Sequence, residues 1–151
     1  VLEQNEAEAA VALEQQAALG LKLADFNGIE STHCKASIQT DLQVLDLRPL
    51  LVGLLDWPEG PRKLPCAAAW FHCNLAQALA DWAAHAARRA QCAVVCLGGG
   101  CFMNAILSDW VTHRLHAQGL QVYRAQRNPC GDAGLALGQA WVVAHESLSC
   151  V

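Results

Sequence analysis

The sequence predicts an α/β domain, and three observations carry that reading. Cys92-Ala93-Val94-Val95-Cys96-Leu97 is a continuous apolar run of strand length, the form expected of a strand covered on both faces. Gly98-Gly99-Gly100 leaves it directly, and residues 104 to 118 then make a helix that stops at Gly119. Leu120 to Arg124 reads as a second strand, followed by the turn Asn128-Pro129-Cys130-Gly131 and a last helix from Asp132 to His145. Two strands joined by one helix most often run parallel, so their carboxyl ends reach one edge of a sheet, which is where ligands bind.

Upstream, residues 3 to 24 are rich in Ala, Leu, Glu and Gln and contain no Pro, which favours a long helix despite Gly20. Asn27-Gly28 is a turn signal. Short strands are expected around Lys35 to Gln39 and Gln43 to Asp46, with a short helix from Pro49 to Leu55. Residues 57 to 65 hold three of the five prolines and read as a surface connection, the best place for a hinge within an otherwise single unit spanning 1–151. From Cys66 to Ala90 a helix returns, with Trp70 or Phe71, Leu75, Ala78 or Leu79, Trp82 and Ala86 on one apolar face. Arg88 and Arg89 fall near its end, where cations suit the helix dipole.

Composition limits the function. With 54% apolar and 16% charged residues the chain is of the globular class and a packed core is expected. A net charge of -4 leaves no basic face, which argues against nucleic-acid binding through phosphate neutralisation while leaving small anionic ligands open. No apolar run reaches the roughly 18 residues of a membrane span, and the start lacks the layout of a signal peptide, so a cytoplasmic protein without membrane contact is expected. The eight cysteines form no CxxC pair and read mostly as small buried hydrophobes with reduced thiols. The missing initiator Met suggests a fragment or a processed chain.

At the predicted ligand edge, the glycines let backbone approach a ligand closely, and the following helix offers unpaired N–H groups and a positive dipole to a phosphate or ribose. Asn104, in the first turn, adds a side-chain amide. Asp132 reaches the same edge after the second strand, as a helix N-cap or as a ligand for a divalent metal. The glycines by themselves also fit a plain tight turn, and the loop is neither GxGxxG nor GxxxxGK[ST]. His113 and His116 share a helix face but lack a third ligand, and Cys92, Cys96 and Cys101 read as core residues. His72 suits either a site or a satisfied polar pocket. Glu6, Glu8 and Glu14 read most simply as a solvated helix face.

Two segments taken together are more specific. Leu97-Gly98-Gly99-Gly100-Cys101-Phe102-Met103-Asn104, followed by Asn128-Pro129-Cys130-Gly131-Asp132-Ala133-Gly134-Leu135-Ala136-Leu137-Gly138-Gln139-Ala140, resembles the C-terminal end of HypF-type carbamoyltransferases. Phe71-His72 with Leu75-Ala76, and Glu6-Ala7-Glu8-Ala9-Ala10, resemble two further stretches of that family. The resemblance implies the C-terminal lobe of an actin-like ATPase fold of the TsaD type, with a mixed sheet and flanking helices. It implies a part in hydrogenase maturation. There, carbamoyl phosphate and ATP yield a carbamoyl-adenylate, and the carbamoyl group passes to the C-terminal cysteine of a HypE-type acceptor. Gly99, Gly100 and Asn104 would line the nucleotide, Glu6 would approach its ribose, and Asp132 would ligate a divalent metal, Mg or Fe.

The sequence departs from the family pattern at Gly98 (serine in the family), Met103 (glutamine), Gly131 (asparagine), Ala133 (glycine), Ala7 (glycine) and Glu8 (glutamine). The paired histidines that supply the family's other metal ligands belong to an upstream lobe, on the same or a second chain. The leading expectation is therefore a carbamoyltransferase lobe that needs this partner to complete its active site. The alternative is a lobe that has lost tight nucleotide contact and serves as a binding or protein-interaction module. A thiol-based activity ranks last, because no CxxC or activating base is evident.

Overall fold

The computed structural model describes residues 8–23, 40–41, 44–60 and 63–148. In chain order these form helix α1 (Glu8–Leu23), strands β1 (Thr40–Asp41) and β2 (Val44–Leu45), and helices α2 (Arg48–Leu55) and α3 (Lys63–Arg89). Strand β3 (Val94–Leu97), a 3₁₀ turn (Gly100–Met103), helix α4 (Ala105–Ala117) and strand β4 (Gln121–Arg124) follow. A second 3₁₀ turn (Asp132–Gly134) leads into α5 (Leu135–Leu148). The expected first helix, its neighbour at 49–55 and the strand–helix–strand–helix order are all present. The strand expected at 35–39 lies outside the described residues.

Helix α3 begins three residues before its expected start and takes Pro65 into its first turn. A first-turn N–H has no intrahelical acceptor, so proline is tolerated there. This helix is the centre of the fold, and α1, α2 and α4 all pack on it. Its side toward α4 is built from Ala76, Ala80 and Ala84, all fully buried and four residues apart. They form one cluster with Leu107, Val111 and Leu115 of α4 and Leu97 of β3. Of the face expected from the sequence, Trp70 and Ala78 are buried, whereas Leu75, Leu79 and Trp82 are only half-buried and Ala86 is exposed. A helix covered from several sides buries its small residues deepest, because they let neighbouring helices approach.

Helix α1 crosses α3 where Gly20 meets Pro65, and a Cβ at Gly20 would lie 2.0 Å from the Pro65 carbonyl oxygen. The glycine that weakens α1 as a helix is thus what permits its docking. On the other side Trp70 is buried and stands 5.4 Å, centroid to centroid, from Trp57.

Strands β3 and β4 pair in parallel, from Val94 opposite Gln121 to Leu97 opposite Arg124. Leu97 is buried, while Val95 and Val122 pack against the helical core. Val94, Cys96 and Tyr123 are exposed, so among the described residues β3 is covered on one face only, against the expectation of two. Continuous apolarity signals a strand that two layers can cover, but only one of those layers lies here. The antiparallel pair β1–β2 forms a separate ladder, Thr40 to Leu45 and Asp41 to Val44. Beyond it, the Arg48 guanidinium donates to both carboxylate oxygens of Asp46, from Nε to Oδ1 at 2.9 Å and from Nη2 to Oδ2 at 2.7 Å. The Arg48 guanidinium, helped by its backbone N–H, lowers the Asp46 carboxyl from 3.8 to about 2. Among the described residues no helix is long and apolar enough to cross a membrane.

Candidate functional site

The carboxyl ends of β3 and β4 open into a cleft of about 470 Å³, in the range of small-molecule sites. Gly98 and Gly99 form one wall, and Cys130, Gly131, Asp132 and Leu135 form the other. The two segments singled out in the sequence therefore meet at one edge, although 31 positions separate their central residues Gly99 and Cys130. A backbone bond joins the walls, with the Gly99 N–H donating to the Cys130 carbonyl at 2.7 Å. Gly99 has φ +98° and ψ 159°, a conformation essentially reserved for glycine. Gly100 sits against Gly131, where an added Cβ would lie 3.5 Å from the Gly100 Cα, in ordinary contact.

The donors differ from those expected. The chain does not pass from the glycines straight into α4 but makes the 3₁₀ turn Gly100–Met103 first, and two of the first amides of α4 are already taken. The Leu107 N–H donates to Asn104 Oδ1 at 2.8 Å, and the Ala105 N–H donates to Glu14 Oε1 at 2.7 Å. Gly100 and Cys101 open the 3₁₀ turn, and the Phe102 N–H donates back to the Gly99 carbonyl at 3.1 Å. Neither this turn nor the first residues of α4 line the cleft, whose backbone wall is made by Gly98, Gly99 and the segment from Pro129 to Asp132.

Gly99 lines the cleft, and Gly100 stands behind it against Gly131. Asn104 is not among the lining residues. Besides capping α4, its Nδ2 donates to His72 Nε2 at 2.9 Å. His72 is buried at 2% exposure and donates from Nδ1 to the Ala68 carbonyl at 2.8 Å, so it fills a satisfied polar pocket. Asp132 is exposed in the cleft wall. It lies inside the second 3₁₀ turn, whose N-cap position is Gly131, and its carboxylate makes no hydrogen bond or ion pair among the described residues. Glu6 lies outside the described residues. His113 and His116 are exposed on α4, and no group of three His, Cys, Asp or Glu side chains among the described residues could hold a metal. The six described cysteines are all unbridged, with Cys92, Cys96 and Cys101 exposed rather than in the core.

Sequence reasoning missed Glu14, read there as part of a solvated face. It is half-buried and meets a backbone 91 positions away, a contact that no local pattern announces.

A family model described as carbamoyltransferase, Kae1-like domain, second subdomain, matches residues 2–139. The chain belongs to this HypF carbamoyltransferase family. It is 46% identical over 149 residues to a carbamoyltransferase HypF homolog of Cupriavidus necator, covering 97% of this chain and 36% of that protein. Carbamoyltransferase HypF2 of the same organism is 42% identical over 98 residues, covering 65% of this chain and 12% of that one. The crystal structure of T. kodakarensis HypF superposes with a TM-score of 0.75 over 96% of this chain and 18% of that one, at 23% identity. The α/β fold is therefore that of the HypF family, and the chain spans about a third or less of the length of these relatives.

The family departures also find places. Met103, 70% exposed, brings its Sδ to 3.8 Å from where a Gly131 Cβ would stand, so two of the departures are neighbours on one rim. The Ala133 side chain is exposed and outside the cleft lining, which removes it as an obstruction. Gly134 beside it does line the cleft.

Proposed function

We propose that this chain is the second, nucleotide-facing lobe of a HypF-type carbamoyltransferase. The observation that carries the reading is the convergence of the glycine loop and Asp132 in one cleft, at the carboxyl ends of two parallel strands. Its wall fits a nucleotide: nothing lies within 4 Å of where a Cβ would stand on Gly98 or Gly99, so the backbone lets phosphates approach closely. ATP is the ligand proposed. Asp132 contributes one carboxylate to a divalent metal, Mg or Fe, whose charge would stabilise phosphate oxygens. The other metal ligands come from the upstream lobe, since the described residues hold no three-ligand group of their own.

In the assembled enzyme, water cleaves carbamoyl phosphate to carbamate and phosphate, and the carbamate oxygen attacks the α-phosphorus of ATP, so that pyrophosphate leaves and a carbamoyl-adenylate forms. The C-terminal cysteine thiolate of a HypE-type acceptor attacks its carbamoyl carbon, and AMP leaves, as a step of hydrogenase maturation in the cytoplasm. Family membership and the relatives' description as carbamoyltransferases support the transfer. The unbridged cysteines support a reducing compartment. Exposed Leu137, Trp141 and Val142 on α5 support an upstream lobe packed on this one.

A second reading, a lobe kept for protein interaction without catalysis, is favoured by one observation. Met103 and Gly131 leave the cleft rim without the two side-chain amides that the family pattern carries there. Adding the upstream lobe and measuring ATP- and carbamoyl-phosphate-dependent carbamoyl transfer decides between the two. Turnover supports the enzyme, and stable association without turnover rejects it. Within the active assembly, Asp132→Asn is expected to weaken the metal dependence of ATP binding by about tenfold or more while leaving the melting temperature unchanged, because the carboxylate supports nothing in the fold.

A further inference from the structure

The three hydrogen bonds around Asn104 form a directed chain. A carbonyl only accepts, so the bond to Ala68 requires the proton of His72 on Nδ1. The Leu107 N–H can only donate, so Asn104 turns Oδ1 to it and Nδ2 to His72, where Nε2 accepts with its lone pair. Asn104 is also the residue on which the glycine loop closes: its own N–H donates to the Cys101 carbonyl at 3.3 Å, ending the 3₁₀ turn that starts at Gly100. The junction is held from a second side by Glu14 of α1, on the neighbouring Ala105 N–H. His72 does not line the cleft, and the cleft wall ends within a few residues of the junction it holds.

We infer that His72 is a positioning residue for the cleft. Acting through Asn104, it sets the conformation of Gly99, Gly100 and Cys101, with Glu14 as the second anchor. The inference rests on the proposed reading of the cleft for its functional meaning, but its structural claim stands apart from any ligand. Asn104, which family resemblance puts at the nucleotide, thereby works from behind the loop.

The test uses the full chain labelled with ¹⁵N. His72 is expected to show the Nδ1–H tautomer in long-range ¹⁵N–¹H spectra. His72→Leu removes the acceptor of Asn104 and is expected to shift the Gly99, Gly100 and Cys101 amide signals. It is also expected to raise the Kd for Mg·ATP by roughly tenfold to a hundredfold, the effect of slight misplacement. His72→Gln can offer a donor and an acceptor at similar spacing, and is expected to restore both readouts. If His72→Leu fails to fold, Asn104→Ser carries the same test, since it keeps the helix cap and removes only the donor to His72. An Nε2–H tautomer, or loop amides unmoved in a folded His72→Leu or Asn104→Ser chain, overturns the inference. If wild-type chain binds no Mg·ATP even with the upstream lobe, the nucleotide reading fails, and the tautomer and loop amides still decide the positioning role.

Discussion

At the scale of single residues, geometry separates groups that act on the cleft from groups that shape it. Gly99 does both, because it lines the wall and its φ of +98° admits no side chain without strain. Gly99→Ala is expected to cost about 1–3 kcal/mol in stability. Its effect on the wall should appear as loss of exchange protection at its own N–H, the group bonded to Cys130. Asp46 supplies a prediction away from the site. Its carboxyl is held at about 2, below its ordinary 3.8, by the Arg48 guanidinium and backbone N–H. The pair is therefore complete above the ordinary carboxylate range and lost as pH falls through about 2. A carbon-detected titration of Asp46 should find that midpoint, whereas a midpoint near 4 would mean that the bidentate pair does not persist in solution. Because the pair is exposed, Asp46→Asn should barely move the melting temperature near neutral pH.

The elements show how a weak local preference can be outweighed by packing. Gly20 costs α1 about 1 kcal/mol against alanine as a helix former. An alanine there would drive its methyl to 2.0 Å from the Pro65 carbonyl oxygen, a backbone atom that cannot swing away. Gly20→Ala is therefore expected to destabilise, because overpacking of about 1–3 kcal/mol meets or exceeds the gain. Gly138 in α5 is the control: nothing lies within 4 Å of its absent Cβ, so Gly138→Ala should stabilise by up to about 1 kcal/mol. Thermal or denaturant unfolding of the two variants should give opposite signs. Equal signs would mean that α1 does not dock on α3 at Gly20. The same logic explains why the apolar stripe read from α3 was incomplete. Trp82 and Leu79 mark one face, but the closest helix contact runs along Ala76, Ala80 and Ala84, which a hydropathy pattern ranks below them.

At the scale of the whole molecule, apolar side chains remain exposed on α5 and the sheet as well as on α1 and α2. Leu137, Trp141 and Val142 of α5, and Val94, Cys96 and Tyr123 of the sheet, are exposed. The chain spans 36% of the length of its C. necator relative, and its family model describes a second subdomain. If the upstream lobe covers this surface, Cys96 should react quickly with a maleimide in the chain alone and markedly more slowly in the assembly. Site-resolved mass spectrometry can follow this, with Trp141 fluorescence shifting to the blue in parallel. Unchanged labelling of Cys96 and an unshifted Trp141 in a stable assembly would place the interface elsewhere.

Much of this was legible in the sequence, and the boundary is physical. The strand Val94–Leu97, the glycines after it, α4 ending before Gly119 and the parallel pairing with Gln121–Arg124 all follow from local signals. Short-range hydropathy, turn chemistry and chain connectivity suffice for them. Parallel pairing was also enough to bring Asp132 to the edge reached by Gly98 and Gly99. What only the tertiary structure decided is which residues line the cleft and which side chains are already committed. Asn104 turns to His72 across 32 positions, and Glu14 reaches Ala105 across 91. Hydrogen bonds of that kind depend on how helices cross, and a crossing such as that of α1 on α3 at Gly20 is set by packing between distant residues. The sequence alone determined where the cleft is, and the packing of α1, α3 and α4 decided which groups line it and which hold it in place.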